Sequence, residues 1–180
     1  MSIWWSLHLR REAASVPLAR RFLLGTMESA GVDPDISFDL SLALSEACAN
    51  AVEHGGDAGF PDAWEEPSAT AGGQYRVTAY LDGEKCRIEV ADSGPGFPAR
   101  RVLHDAAQQE HAAKRQHDTQ LPEPQYAQHP PLTAEDGRGL CLIEQLADHV
   151  HFGNRPGHGG AVVSFDKVLK WREGALLMVS

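Results

Sequence analysis

At 180 residues, 42% of them hydrophobic and 23% charged, the chain has the make-up and length of one folded globular domain. A formal net charge of -9 argues against a nucleic-acid partner, whose backbone is bound through clustered Lys and Arg. No apolar run approaches the roughly 20 residues that span a bilayer, so no membrane role is expected. The opening MSIWWSLHLRRE also lacks the basic-then-apolar order of a secretion signal. Cys48, Cys86 and Cys141 are scattered through apolar patterns, as buried free thiols in a reducing compartment would be. A cytoplasmic domain is the expectation.

In chain order, Ile3, Trp5, Leu7 and Leu9 alternate with Trp4, Ser6 and His8, the pattern of a half-buried strand. A helix is predicted from Val16, with Ala19, Phe22, Leu23 and Met27 on its apolar face and Gly31 to stop it. Asp33 reads as the cap of a second helix and Pro34 as its first residue, where a missing N–H costs nothing. That helix carries LSLALSEACANAVEHGG, Leu40 to Gly56, and is apolar at Leu40, Ala43, Leu44, Ala47 and Ala51. Asp57 to Gly73 has no periodicity and reads as a surface loop. Tyr75–Leu81 and Cys86–Ala91 are predicted strands joined at Asp82-Gly83, a hairpin turn signal.

The second of those strands runs directly into Asp92-Ser93-Gly94-Pro95-Gly96-Phe97. Residues 99–136 hold His104, His111, His117 and His129 among several prolines, with few apolar residues after Leu103. A stretch of that length without an element reads as a lid or an insert. The histidine spacings of seven, six and twelve contain no helical pair four apart, so a solvated loop is favoured over a metal site. Order resumes at Gly137-Arg138-Gly139-Leu140, opening a helix with Leu140, Ile143, Leu146 and Ala147 inward. A strand around Val150–Phe152, a glycine-rich turn at Arg155–Gly160 and a last strand, Ala161–Phe165, follow. This order predicts an α/β (α+β) two-layer sandwich: a mixed, mostly antiparallel sheet of about five strands with helices on one face. The domain is taken as residues 1–170 and the rest, 171–180, as strand or tail.

Three places carry chemistry. Glu46, Asn50 and His54 recur at intervals of four and ride one side of the second helix. From the helix alone, a solvated stripe and a site are equally good readings. Asp92-x-Gly94-x-Gly96 leaves a strand with a carboxylate able to accept from an exocyclic amine, though Asp-x-Gly is also plain turn chemistry. Gly137-Arg138-Gly139 stands at a helix start, where free N–H groups favour phosphate; a flexible loop before a helix is the plain alternative. In such a site Asn50 can reach a hydrated Mg²⁺ and Glu46 can take a proton from an attacking hydroxyl.

Together and in this order the motifs resemble those of the GHKL (Bergerat-fold) ATP-binding superfamily, which includes histidine kinases, gyrase B and MutL. Glu46-x-x-x-Asn50 matches its N box, Asp92-x-Gly94-x-Gly96 its first glycine box, and Gly137-x-Gly139-Leu140 its second. Within it, LALSEACANAVEHG, VADSGPGF and GRGLCLIEQLAD are similar to the small bacterial anti-sigma serine kinases of the RsbW and SpoIIAB type, from about Leu7 to Phe165. The resemblance implies ATP and Mg²⁺ as cofactors, with Glu46 as catalytic base, Asn50 as metal ligand and Asp92 as adenine reader. It makes Gly94, Gly96, Gly137 and Gly139 ligand-wrapping glycines beside Leu140, and sets Arg138 near the phosphates. The implied partners are a sigma factor and an anti-anti-sigma (STAS) protein, with a homodimer left open.

Two departures stand out. The family's Gly-Gly-Thr is here Gly159-Gly160-Ala161, so a hydroxyl that supports the adenine-binding Asp is missing, at an expected cost of about 1 kcal/mol. The segment between the glycine boxes is also longer than a minimal kinase lid. The alternative to a kinase is a regulatory binding module whose ATP only shapes a surface. A detached histidine-kinase catalytic domain is a third reading, set behind because no phosphate-accepting dimerisation helix is seen.

Overall fold

The computed structural model describes residues 2–56, 73–97, 136–155 and 160–175, and among these residues it has five strands and three helices. They are β1 (Ile3–Arg10), α1 (Ser15–Ala30), α2 (Pro34–His54), β2 (Gln74–Leu81), β3 (Lys85–Ala91), α3 (Asp136–Leu146), β4 (His149–Asn154) and β5 (Ala161–Val168). Nearly all of the expected 57–73 loop and 99–136 lid, including its four histidines, lies outside the described residues.

The sheet runs β1-β2-β3-β5-β4. All four pairings are antiparallel, so the parallel component that a mixed sheet allows does not occur among the described residues. Alternation decides its faces. Tyr75, Val77, Ala79 and Leu81 of β2, Cys86, Ile88 and Val90 of β3, and Val163 and Phe165 of β5 are buried. The opposite face carries the Ser6–Thr78 hydroxyl pair and the Arg76–Glu89 and Arg87–Asp166 ion pairs. Among the described residues the helices cover the buried face, α2 packing between α1 and α3. Each fully buried Leu, Ile or Phe there contributes about 1.5–3 kcal/mol.

Local chemistry sets the helix ends. Gly31 closes α1 in the left-handed conformation (φ 84°), its N–H bonding to Glu28 and that of Val32 to Met27. Asp33 caps α2 through Oδ1, which accepts the Asp35 N–H at 2.9 Å, with Pro34 first in the helix. The expected α1 face needs one correction. Ala19, Leu23 and Met27 are fully buried, but Phe22 remains 46% exposed. Helix α1 lies over the edge strand β1, and Phe22 leans outward to meet Trp5 edge-on at 4.9 Å.

Lys167 joins α3 to α2, donating to the Leu146 carbonyl at 2.6 Å and pairing with Asp39 at 3.2 Å. Cys48 and Cys86 are buried and Cys141 half-buried. Loss of solvent pushes the Cys48 thiol up to about 12 despite its hydrogen bond with Tyr75. The segment left open between strand and tail docks on the α1–α2 turn as far as Ala175. Trp171 bridges Val32, Arg172 bonds to the Gly31 and Val32 carbonyls, and Ala175 is buried. Residues 176–180 lie outside the described residues.

Candidate functional site

The polar stripe of α2 meets the start of α3. Gly139 faces it so closely that a Cβ on this glycine would lie 2.8 Å from Glu46 Oε2 and 3.7 Å from Asn50 Oδ1. Asn50 Nδ2 is buried there without a hydrogen-bond partner; Trp5 Nε1 is the other such atom among the described residues. An unpaired buried amide is costly, of order 1–3 kcal/mol, and is a common mark of a site whose partner is a ligand. It donates as it stands, to a phosphate oxygen for example, and a half-turn of the amide presents an acceptor to a cation. The positive end of the α3 dipole lies beside the Glu46 carboxylate. Gly137 and Arg138 sit in the same first turn, Arg138 exposed, and Leu140 anchors the turn in the core at 4% exposure. His54, the third residue of the stripe, is exposed at the end of α2.

Asp92 stands against the C-terminal end of α2. It is 7% exposed, and its Oδ1 accepts the N–H groups of Gly94 and Ala161, both at 2.9 Å. Its second oxygen, Oδ2, accepts no hydrogen bond among the described residues. Gly55, which ends α2, lies against it: a Cβ on Gly55 would stand 2.8 Å from the Asp92 Cβ. Gly94 packs in turn on the His54 carbonyl, 2.6 Å from where its own Cβ would be. Glu46 precedes Gly55 by nine positions, about 13 Å along the helix axis. The layout suits an elongated ligand with an amine-bearing ring at Asp92 and an anionic end at Glu46, Asn50 and α3.

The family model for the histidine kinase-like ATPase domain matches residues 9–167. The chain belongs to this family. It is 29% identical over 155 residues to the serine-protein kinase RsbW of Bacillus subtilis, covering 86% of this chain and 78% of that one. It is 25% identical over 146 residues to a gliding motility regulatory protein of Myxococcus xanthus, covering 73% of this chain but spanning only 18% of that protein's length. Among solved structures, the RsbU and RsbW domains of Rv1364c from Mycobacterium tuberculosis share the fold, with a TM-score of 0.52 and 19% identity over 92% of this chain and 33% of that one. No helix among the described residues is long and apolar enough to cross a membrane.

Membership of a histidine kinase-like ATPase family implies ATP binding, and the residues present fit that ligand. Asp92 Oδ2, without a hydrogen-bond partner among the described residues, could accept from an exocyclic amine, and the Asn50 amide has an unpaired buried nitrogen among the same residues. Among the described residues no group of three or more His, Cys, Asp or Glu forms a metal cage. A cation there would depend on Asn50 and the ligand's own oxygens, the mode hydrated Mg²⁺ favours.

The glycines gain a second explanation. The sequence gives Gly94, Gly96 and Gly139 to a ligand, yet the space each side chain would fill is occupied by protein. Close packing is sufficient reason for glycine at Gly94, which meets backbone, and at Gly96, whose φ is 79°, but not at Gly139, where the neighbour is the movable end of Glu46. The missing Thr hydroxyl also has a local answer, since Ala161 supports Asp92 through its backbone N–H.

Two residues escaped the sequence reading. Arg11 caps the end of α2, its Nε donating to the Ala51 carbonyl at 3.1 Å and its Nη2 to Val52 at 2.8 Å. Asn154 holds the backbone of Phe97, just past the first glycine motif, by two hydrogen bonds. Neither stands at a motif spacing, and no local pattern announces either one.

Proposed function

We propose that the chain is an ATP-dependent serine/threonine protein kinase of the anti-sigma type, phosphorylating a STAS-type anti-anti-sigma protein and regulating a sigma factor in the cytoplasm. The observation that carries this reading is the convergence of Glu46, the unpaired Asn50 amide and Gly139 at the start of α3. The similarity to RsbW, a serine-protein kinase by name, supports it. In this reading Asp92 takes the adenine amine, Gly94 and Gly96 line the base, and Gly137, Arg138, Gly139 and Leu140 form the phosphate end. Asn50 would hold Mg²⁺, which when bound would neutralise phosphate charge. Glu46 accepts the proton of the substrate hydroxyl as that oxygen bonds to the terminal phosphorus of ATP and the bond from phosphorus to the departing ADP oxygen breaks.

A second reading, a regulatory module that binds ATP without transferring phosphate, has Ala161 in its favour, because the family's hydroxyl beside Asp92 is absent. Transfer of labelled phosphate to candidate STAS proteins separates the two. The kinase reading expects wild type to label a partner and Glu46→Gln to lose roughly 10²–10⁴-fold in rate with ADP affinity little changed. Wild type that binds nucleotide and partner but never labels it sinks the kinase reading in favour of the module. Equal rates for both proteins would remove Glu46 as the base.

A further inference from the structure

Asn154, the last residue of β4, grips Phe97 with both ends of its carboxamide. Oδ1 accepts the Phe97 N–H at 2.6 Å, and Nδ2 donates to the Phe97 carbonyl at 2.8 Å. A neighbouring strand offers an antiparallel partner the same pair of bonds; here one side chain supplies it. The pairing fixes the amide's orientation, since a half-turn would set oxygen against oxygen. The Phe97 ring meets Phe152 edge-on at 5.7 Å and 72°. Phe152 and Asn154 lie two residues apart on one strand and share a face, so β4 holds Phe97 by ring and backbone together.

The grip explains Gly96. Its φ is 79°, and a Cβ there would lie 2.6 Å from Asn154 Oδ1 and 2.9 Å from Asn154 Cγ. Any side chain at 96 would push the carboxamide away. The loop from Asp92 to Phe97 is therefore tied to the β4–β5 unit at both ends. The Asp92 end is held chiefly by backbone, through Ala161 and the close approach of Gly160, with Arg155 Nη1 reaching the Asp92 carbonyl at 3.5 Å. The Phe97 end depends on the exposed Asn154 carboxamide and on the ring contact with Phe152.

We infer that Asn154 is a positioning residue of the nucleotide site, acting through Phe97 and Gly96 to hold the loop in the shape that presents Asp92 to the base. This rests on the ATP reading above. The test uses the full chain, calorimetry with ADP, thermal melts, and hydrogen exchange at the Phe97 amide. Asn154→Ala is expected to weaken ADP roughly three- to tenfold and to speed Phe97 exchange, while the melting midpoint stays within about 4 °C of wild type. Asn154→Ser, which can make at most one of the two bonds, serves if the alanine variant folds poorly, and should fall between the two.

A general structural role would not produce coupling to Gly96. Gly96→Ala should weaken ADP strongly beside Asn154 and less in the Asn154→Ala background, where the strain of a side chain at φ 79° remains but there is no carboxamide to displace. Unchanged ADP affinity in Asn154→Ala, unchanged Phe97 exchange, or independent effects of the two substitutions would each overturn the inference. Wild type that fails to bind ADP at millimolar concentration removes the ATP reading and the positioning role with it. Protected Phe97 exchange in that case would place the error in the ligand, not in the grip.

Discussion

The two glycine motifs are built in opposite ways. Around Asp92–Phe97 the ties are mostly hydrogen bonds: Asp92 Oδ1 takes two N–H groups, the Asp92 N–H bonds to Ala161, and Asn154 holds Phe97, whose ring also meets Phe152. At Gly139 the structure relies on proximity alone. Helix α3 comes within contact of Glu46 and Asn50, and no hydrogen bond joins them among the described residues, while Asn50 Nδ2 stays buried and unpaired. The first motif is a fixed frame that can read a flat group without rearranging. The second is half-buried and holds an unpaired amide nitrogen, a hydrogen bond that a ligand can complete. Stability is concentrated in the first and unspent bonding capacity in the second.

The strongest way to break this contrast is Gly160→Ala. Its Cβ would stand 2.1 Å from the Asp92 carbonyl oxygen at a φ of 98°, so backbone must move against backbone. The expected loss is about 3–5 kcal/mol in denaturant unfolding. A loss under about 1 kcal/mol would show that the frame is pliable after all. Asp92→Asn is milder for the fold, because the amide oxygen can still accept from Gly94 and Ala161. It places a donor or a weaker acceptor toward the ligand, and ADP affinity should fall by about 1.5–3 kcal/mol with the preference over GDP reduced. An unchanged preference would take the reading of the base away from Asp92. Arg11→Ala should cost about 1 kcal/mol of stability by uncapping α2 beneath the same frame; a thermal melt coincident with wild type would show that the cap contributes nothing.

The frame itself was largely legible in the sequence. Asp33-Pro34, Gly31 and Asp82-Gly83 speak through local chemistry, and alternation in β1, β2 and β3 fixes which face is buried. Phe22 was misplaced because periodicity assigns a helix face but not what lies over it, and at the β1 edge Phe22 meets Trp5 yet stays 46% exposed. The site was legible as motifs and not as packing. Glu46 and Asn50 show their shared face by spacing alone, whereas their approach to Gly139 joins residues some 90 positions apart. Asn154 and Arg11 were invisible for the same reason: each acts on backbone far away in the chain, and an Asn ending a strand or an Arg after one has no signature of its own.

The smallest expected change in stability belongs to Gly139→Ala, and it tests the second motif most directly. The new Cβ would sit 2.8 Å from Glu46 Oε2, the far end of a flexible side chain, but at an ordinary 3.7–3.8 Å from the Asn50 amide. Glu46 should turn aside while Asn50 stays. Alanine also favours the helix over glycine by up to about 1 kcal/mol, which offsets the cost of the new rotamer. Unfolding stability should therefore stay within about 1 kcal/mol of wild type. ADP affinity should hold as well, because the Asp92 frame is untouched. Phosphoryl transfer, in the kinase reading, should drop by tenfold or more, since a base displaced by about 1 Å is no longer aligned with its proton. A stability loss above about 2 kcal/mol would mean that Glu46 is locked in place, and the contrast between a fixed frame and an open contact would fail. Full transfer activity with normal stability would instead mean that the position of Glu46 does not matter to the chemistry.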